Sequence, residues 1–191
     1  MPVRAEYRLG RAMGLAVPAG RSTCMFGHME VRLARYEDLD AVSDVAEWAC
    51  AEAIGEMVPP GVVASEIRRR FRRSLLSEHL LSQRLLVGIA VGGHIEMVAL
   101  VDDRRDYTEL ATVITPVHPS QRADGSALVD TVRAMGWTGP LSSSVALGNT
   151  AHEQFHEAAG FAPGEVVVDH IAGHEVFRRE WWLEPALSAA G

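Results

Sequence analysis

VHPSQRADGSA, residues 117–127, is the stretch on which the fold turns. It sets Gly125, Ser126 and Ala127 directly ahead of a run in which Leu128, Val129, Val132 and Met135 fall on one helical face. The start of a helix leaves its first N–H groups without internal acceptors, at the positive end of the helix dipole, so a small-residue turn there suits an anion. Taken alone the feature is weak, because a glycine before a helix commonly serves only as a turn.

The pattern on either side supplies the context. Upstream, EVRLAR alternates as a short strand, and YEDLDAVSDVAEWACAEAI then sets Leu39, Val42, Ala46 and Ala49 at helical spacing. PPGVV at 59–63 punctuates the chain, and ASEIRRRFRRSLLSEHLLS reads as one second amphipathic helix with Ile67, Phe71, Leu75 and Leu76 inward. RLLVGIAV and HIEMVALVD are two strands around a Gly92-Gly93 turn, a tight hairpin. YTELATVITPVHP is a further strand, ended by Pro116 and Pro119.

Downstream, Gly136 closes the third helix and PLSSSVALG gives a strand. NTAHEQFHEAAGF is a short fourth helix ending at Gly160, and GEVVVDHIAGHEVFRREWWL is a strand pair joined near Ala172-Gly173. The order is therefore strand, helix, helix, three strands, helix, strand, helix, two strands.

With 48% hydrophobic and 23% charged residues, the 191-residue chain has the balance of one globular domain rather than a disordered or disulfide-stapled one. That domain is expected over 29–184, with residues 1–28 as a poorly ordered, arginine-flecked arm and 185–191 as a tail. The longest apolar stretches, such as LLVGIAV at 85–91, fall far short of the roughly 20 residues a membrane helix needs, and the N-terminus makes a poor signal peptide. A cytoplasmic protein with no membrane partner is the expectation. Cys24 and Cys50 allow at most one disulfide and no thiolate zinc cluster, and two free thiols are the default. The net charge of −7 disfavours a nucleic-acid surface, so RRRFRR reads as a solvated helix face, and an amine substrate suits the balance.

Two motifs in the right order make the reading specific. VHPSQRADGSA resembles the acetyl-CoA pyrophosphate loop of the GNAT acetyltransferase superfamily, V-x-P-x-x-Q/R-x-x-G-x-G/A, matching at Val117, Pro119, Arg122, Gly125 and Ala127. One helix and one strand later, NTAHEQFHEAAGF is similar to that family's N-x-x-A-x-x-F-Y-x-x-x-G-F, matching at Asn149, Phe155, Gly160 and Phe161. The resemblance covers roughly residues 29 to 184 and implies an α/β (α+β) fold, with a mixed, mainly antiparallel central sheet flanked by helices.

It also implies an acyl-CoA-dependent acyltransferase that moves acetyl from acetyl-CoA to a primary amine of a small molecule or peptide, with no metal. Arg122, Ala123, Asp124, Gly125, Ser126 and Ala127 would cradle the pyrophosphate, with Gly125 allowing close backbone approach. Thr115 and Val117 would offer backbone groups to the pantetheine arm between two splayed strands, and Asn149 and Phe155 would complete the cofactor side. Glu109 is the carboxylate placed to collect the amine proton, or simply a glutamate on a solvated strand face.

Three departures qualify the resemblance. Asp124 puts a carboxylate beside the phosphates, or else caps the helix. His156 stands at the family's tyrosine, where it would protonate the departing thiolate or serve only structurally. His152 replaces a small alanine and shares a face with His156. A catalytically degenerate CoA-binding or protein-interaction module is the alternative reading, and the strand EVFRREWWL leaves a homodimer open.

Overall fold

The computed structural model describes residues 29–55, 57–114, 125–137 and 139–185. Strand β1 (Glu30–Leu33) leads through a short 3-10 turn into helices α1 (Leu39–Ile54), α2 (Pro60–Phe71) and α3 (Arg73–Leu81). Strands β2 (Leu85–Ile89), β3 (Ile95–Asp103) and β4 (Thr108–Ile114) follow, then helix α4 (Gly125–Ala134) and strand β5 (Leu141–Ala146). Helix α5 (Thr150–Ala158) and the pair β6 (Ala162–Ile171) and β7 (His174–Leu183) complete the described chain.

The strands form one seven-stranded sheet in the order β1-β2-β3-β4-β5-β7-β6. Every neighbouring pair is antiparallel except β4 with β5, so the sheet is mixed and mainly antiparallel. Period-two alternation divides its side chains between two cores. Leu86, Met97, Ala99 and Val101 face α4 and α5, whereas Leu85, Val87, Val98 and Leu100 face α1 and α3. The four residues that set the α1 periodicity, Leu39, Val42, Ala46 and Ala49, are all buried there.

Asp38 ties β1 to the first turn of α1. Its carboxylate accepts hydrogen bonds from both terminal nitrogens of Arg32, at 2.7 and 3.1 Å, and from the Arg35 backbone N–H at 2.6 Å. The Arg32 guanidinium holds this buried carboxyl below the usual carboxylate range.

One expected element is two. The helix read across 64–82 breaks at Arg72, whose φ of −59° and ψ of 140° are extended. In an unbroken helix, Phe71 and Leu76, five residues apart, would point about 140° away from each other. The break lets both enter the same core, where they are 4% and 0% exposed. The remaining order agrees with the sequence reading, including the β2–β3 hairpin through Gly92 and Gly93 and the β6–β7 turn at Ala172 and Gly173, all four with positive φ. The arm at 1–28, the prolines expected to end β4 and most of the pyrophosphate loop lie outside the described residues.

Candidate functional site

The sheet forks. Strands β4 and β5 pair only at Thr108↔Leu141, Glu109↔Ser142 and Leu110↔Ser143, after which β4 runs on to Ile114 and β5 to Ala146 without partnering each other. The cause lies in β4. Val101 pairs with Leu110 and Leu100 with Thr112, which leaves Ala111 as an extra residue. Such a bulge bends its strand and sharpens the local twist, carrying β4 away from β5 where the parting begins. The two strands are parallel and α4 lies between them in sequence, so the fork opens at their carboxyl ends, where ligands enter open α/β sheets.

On the α1 and α2 face the fork widens into a cleft of about 80 Å³. Ala111, Thr112 and Val113 line one edge and Ser144, Val145 and Ala146 the other. The far wall is polar, with Cys50 from α1, Glu66 and Arg70 from α2, and Arg178 from β7. Asn149 and His152, at the start of α5, close the floor. The Asn149 side-chain oxygen accepts from the His152 backbone N–H at 3.2 Å, a helix cap that fixes this corner.

Charges in the cleft are ordered by α2. Glu66 is buried and accepts two hydrogen bonds from Arg69, at 2.9 and 2.7 Å, and a further one from Arg70. These bonds, Arg69's first, hold its carboxyl below the usual range. Arg178, 15% exposed at its side chain, has its pKa lowered, first by burial and then by the neighbouring Arg70. Burial likewise pushes the Cys50 thiol up to about 11, so it is protonated at neutral pH.

No family model and no curated protein sequence matches the chain. Solved structures do. The PaiA N-acetyltransferase from Thermoplasma acidophilum, in complex with coenzyme A, is similar over 79% of this chain and 97% of that one, with a TM-score of 0.61 and 16% identity. A GNAT-family acetyltransferase from Bacillus cereus gives 0.59 at 17% identity, covering 84% of this chain and 99% of that one. The chain has the GNAT fold. The structure of YncA from Salmonella typhimurium with its cofactor acetyl-CoA is a further match at 0.56 and 18% identity, over 85% of this chain and 96% of that one.

Within the GNAT fold, the residues singled out from sequence fall in different places. Thr115, Val117, Arg122, Ala123 and Asp124 lie outside the described residues. Gly125, Ser126 and Ala127 open α4 as expected, but the described surroundings of Gly125 are those of packing. A Cβ added there would lie 2.6 Å from Ala159 Cβ and 3.1 Å from the Phe155 carbonyl oxygen. Its lack of a side chain lets α4 sit against α5. Phe155 is buried in the same seam, and Asn149 is at the cleft.

His156 is not among the residues that line the cleft. It is 1% exposed and enclosed by Phe155, Phe161 and Trp181, with ring centroids 5.3 to 5.7 Å away. Its Nδ1–H donates to the His152 carbonyl at 2.7 Å, so Nε2 is left to accept from the Ser143 hydroxyl at 2.9 Å. Burial pulls its pKa down to about 4. With both nitrogens engaged inside the core, its surroundings are those of the structural role rather than of a proton donor to a thiolate. Glu109 is likewise drawn off, accepting from Arg104 Nε at 2.8 Å, and it is not among the cleft residues.

Glu66, Arg70 and Arg178 were missed. The signal for Glu66 was present, since a glutamate three and four residues before two arginines is a helical ion-pair spacing. Arg178 carried none, because strand alternation says which face a residue takes and not what covers that face. Among the described residues no group of three or more His, Cys, Asp or Glu could hold a metal, and no helix is long and apolar enough to cross a membrane.

Proposed function

We propose that the protein is an acyl-CoA-dependent acyltransferase, acting with acetyl-CoA on a primary amine of a small molecule or peptide. The observation that carries this is the fork between β4 and β5, which widens on one face into a polar cleft. Solved structures of the same fold that hold coenzyme A or acetyl-CoA support it.

The residues present fit such a donor. Past Leu110 and Ser143, the facing edges of β4 and β5 have no partners in each other, so a chain bearing amides can pair with them as an added strand does. The first-turn N–H groups at Gly125, Ser126 and Ala127 suit its phosphates. The donor supplies an activated thioester. The amine nitrogen forms a C–N bond to the acyl carbon as the C–S bond breaks, sulfur leaves with the bonding pair and gains a proton, and nitrogen loses one.

In this reading the cleft holds the amine and His152 takes its proton, because His152, unlike Glu109 or His156, lines the cleft. Glu66 is a poor base, its carboxylate being engaged by two guanidiniums.

Calorimetric titration of acetyl-CoA and coenzyme A, with thiol release measured across a panel of amines, tests the reading. Binding of both and acceptor-dependent thiol release are expected. Binding without release from any amine would leave a CoA-binding module, and no binding would remove the proposal.

A further inference from the structure

The far wall of the cleft holds a buried cation that is only partly answered. Arg178 lies on β7 opposite Ala146, one strand away from the open edge of β5. Its Nε is buried without a hydrogen-bond acceptor. Asp169 Oδ2, on a side chain 42% exposed, forms an ion pair with that atom at 3.0 Å without hydrogen-bond geometry. No hydrogen bond reaches the Arg178 guanidinium from any described residue. The buried carboxylate of the cleft, Glu66, is already taken by Arg69 and Arg70. Of the ionised side chains lining the cleft, Arg70 and Arg178 are positive and Glu66 is negative, while Asp169, the ion-pair partner of Arg178, is not part of that lining.

A buried guanidinium is costly unless its remaining N–H groups are met as well, and its planar fork is matched best by a carboxylate or a similar oxyanion. We propose that Arg178, with Arg70 beside it, binds an anionic group of the acceptor, so that the amine acylated here belongs to an amino acid or a related amino-carboxylate. The proposal rests on the acyl-transfer reading for its amine and on the charge of the cleft for its anion.

The spacing agrees. Adjacent strands lie about 4.8 Å apart, so a group held by a β7 side chain sits within one small molecule's length of the β5 edge. The anion would lie against the arginines and the amine toward the fork, where Ala111 to Val113 and Ser144 to Ala146 face each other. Arginines that attract a carboxylate also disfavour an ammonium, which favours the neutral amine needed for attack.

The test compares acceptors before it compares proteins. Glycine, alanine, methionine and phenylalanine are each assayed with acetyl-CoA against the corresponding α-carboxamide, on the full chain. At least a tenfold higher kcat/KM for the carboxylates is expected, and equal values would overturn the proposal while leaving acyl transfer standing. Arg178→Met should shrink that preference by roughly ten- to a hundredfold, and Arg178→Lys should keep part of it. If the methionine variant melts early, the wild-type series still decides.

If no amine of either kind releases thiol, acyl transfer fails, and the anion site is judged by calorimetry in the presence of coenzyme A. N-acetylglycine should bind and N-acetylglycinamide should not. Equal binding of the two, or displacement of N-acetylglycine by sulfate at equal concentration, would overturn the site.

Discussion

The Ser143 hydroxyl donates to His156 Nε2 at 2.9 Å from the last β5 residue that pairs with β4, so the neutral imidazole is fastened to the point where the sheet forks. Unfolding returns that imidazole to its ordinary pKa of 6.5, against about 4 in the fold. Above pH 6.5 neither state holds the extra proton, and stability is complete. Between 6.5 and about 4 only the unfolded chain takes it up, and stability falls by on the order of 3 kcal/mol, levelling below that range. Melting curves across pH should show this loss, and His156→Gln should flatten it between pH 6.5 and about 5.5, above the range where Asp38 and Glu66 begin to contribute. An unchanged slope in that variant would mean that His156 is not the group responsible.

Gly125→Ala should destabilise the protein by about 1–3 kcal/mol, because the new methyl overlaps Ala159 Cβ at 2.6 Å. Ala159→Gly in the same chain should recover part of the loss. Denaturant midpoints of the single and double variants measure the coupling, and additive losses would show that the seam between α4 and α5 is not what forbids the side chain.

Cys50 should resist alkylation. With its thiol pushed up to about 11, the thiolate at pH 8 is roughly a hundredfold scarcer than in a free cysteine. With Cys24 replaced by serine so that one thiol is counted, the iodoacetamide rate should be slower than that of a free thiol by about that factor and rise steeply toward pH 11. A free-thiol rate at pH 8 would show that the α1 wall is open.

His152→Ala should lower kcat by roughly ten- to a thousandfold with little change in the affinity for acetyl-CoA, the scale for losing a proton acceptor. The acidic limb of the pH–rate profile, where a base must first lose its proton, should move with it. A variant with wild-type kcat at every pH would return His152 to the structure alone.

What was legible in the sequence follows from what local chemistry can encode. Gly92-Gly93, Gly136, Gly160 and Ala172-Gly173 mark chain reversals, all but the last at positive-φ glycines alone, and these punctuate the elements correctly. Leu39, Val42, Ala46 and Ala49 report their own helix. The break at Arg72 has neither glycine nor proline to announce it, since it is set by two side chains competing for one core. The bulge at Ala111 is equally silent, because any residue can be the extra one. At the site, the motif placed α5 correctly but could not say that His156 turns inward while His152 meets the cleft. That depends on Trp181 and Ser143, which come from strands the motif does not include.

The fork also has a mechanical side. Among the described residues, three pairs of β4 and β5 are all that stitch strands β1 to β4 to strands β5 to β7. A seam that short should open far more often than the whole molecule unfolds, so amide deuterium uptake at Leu110 and Ser143 should outrun that in the β2–β3 hairpin. Anything that lies along both free edges lengthens the stitching and slows that breathing. Occupancy of the fork is thus written into the exchange rates of the strands beside it, and can be read there without following any reaction.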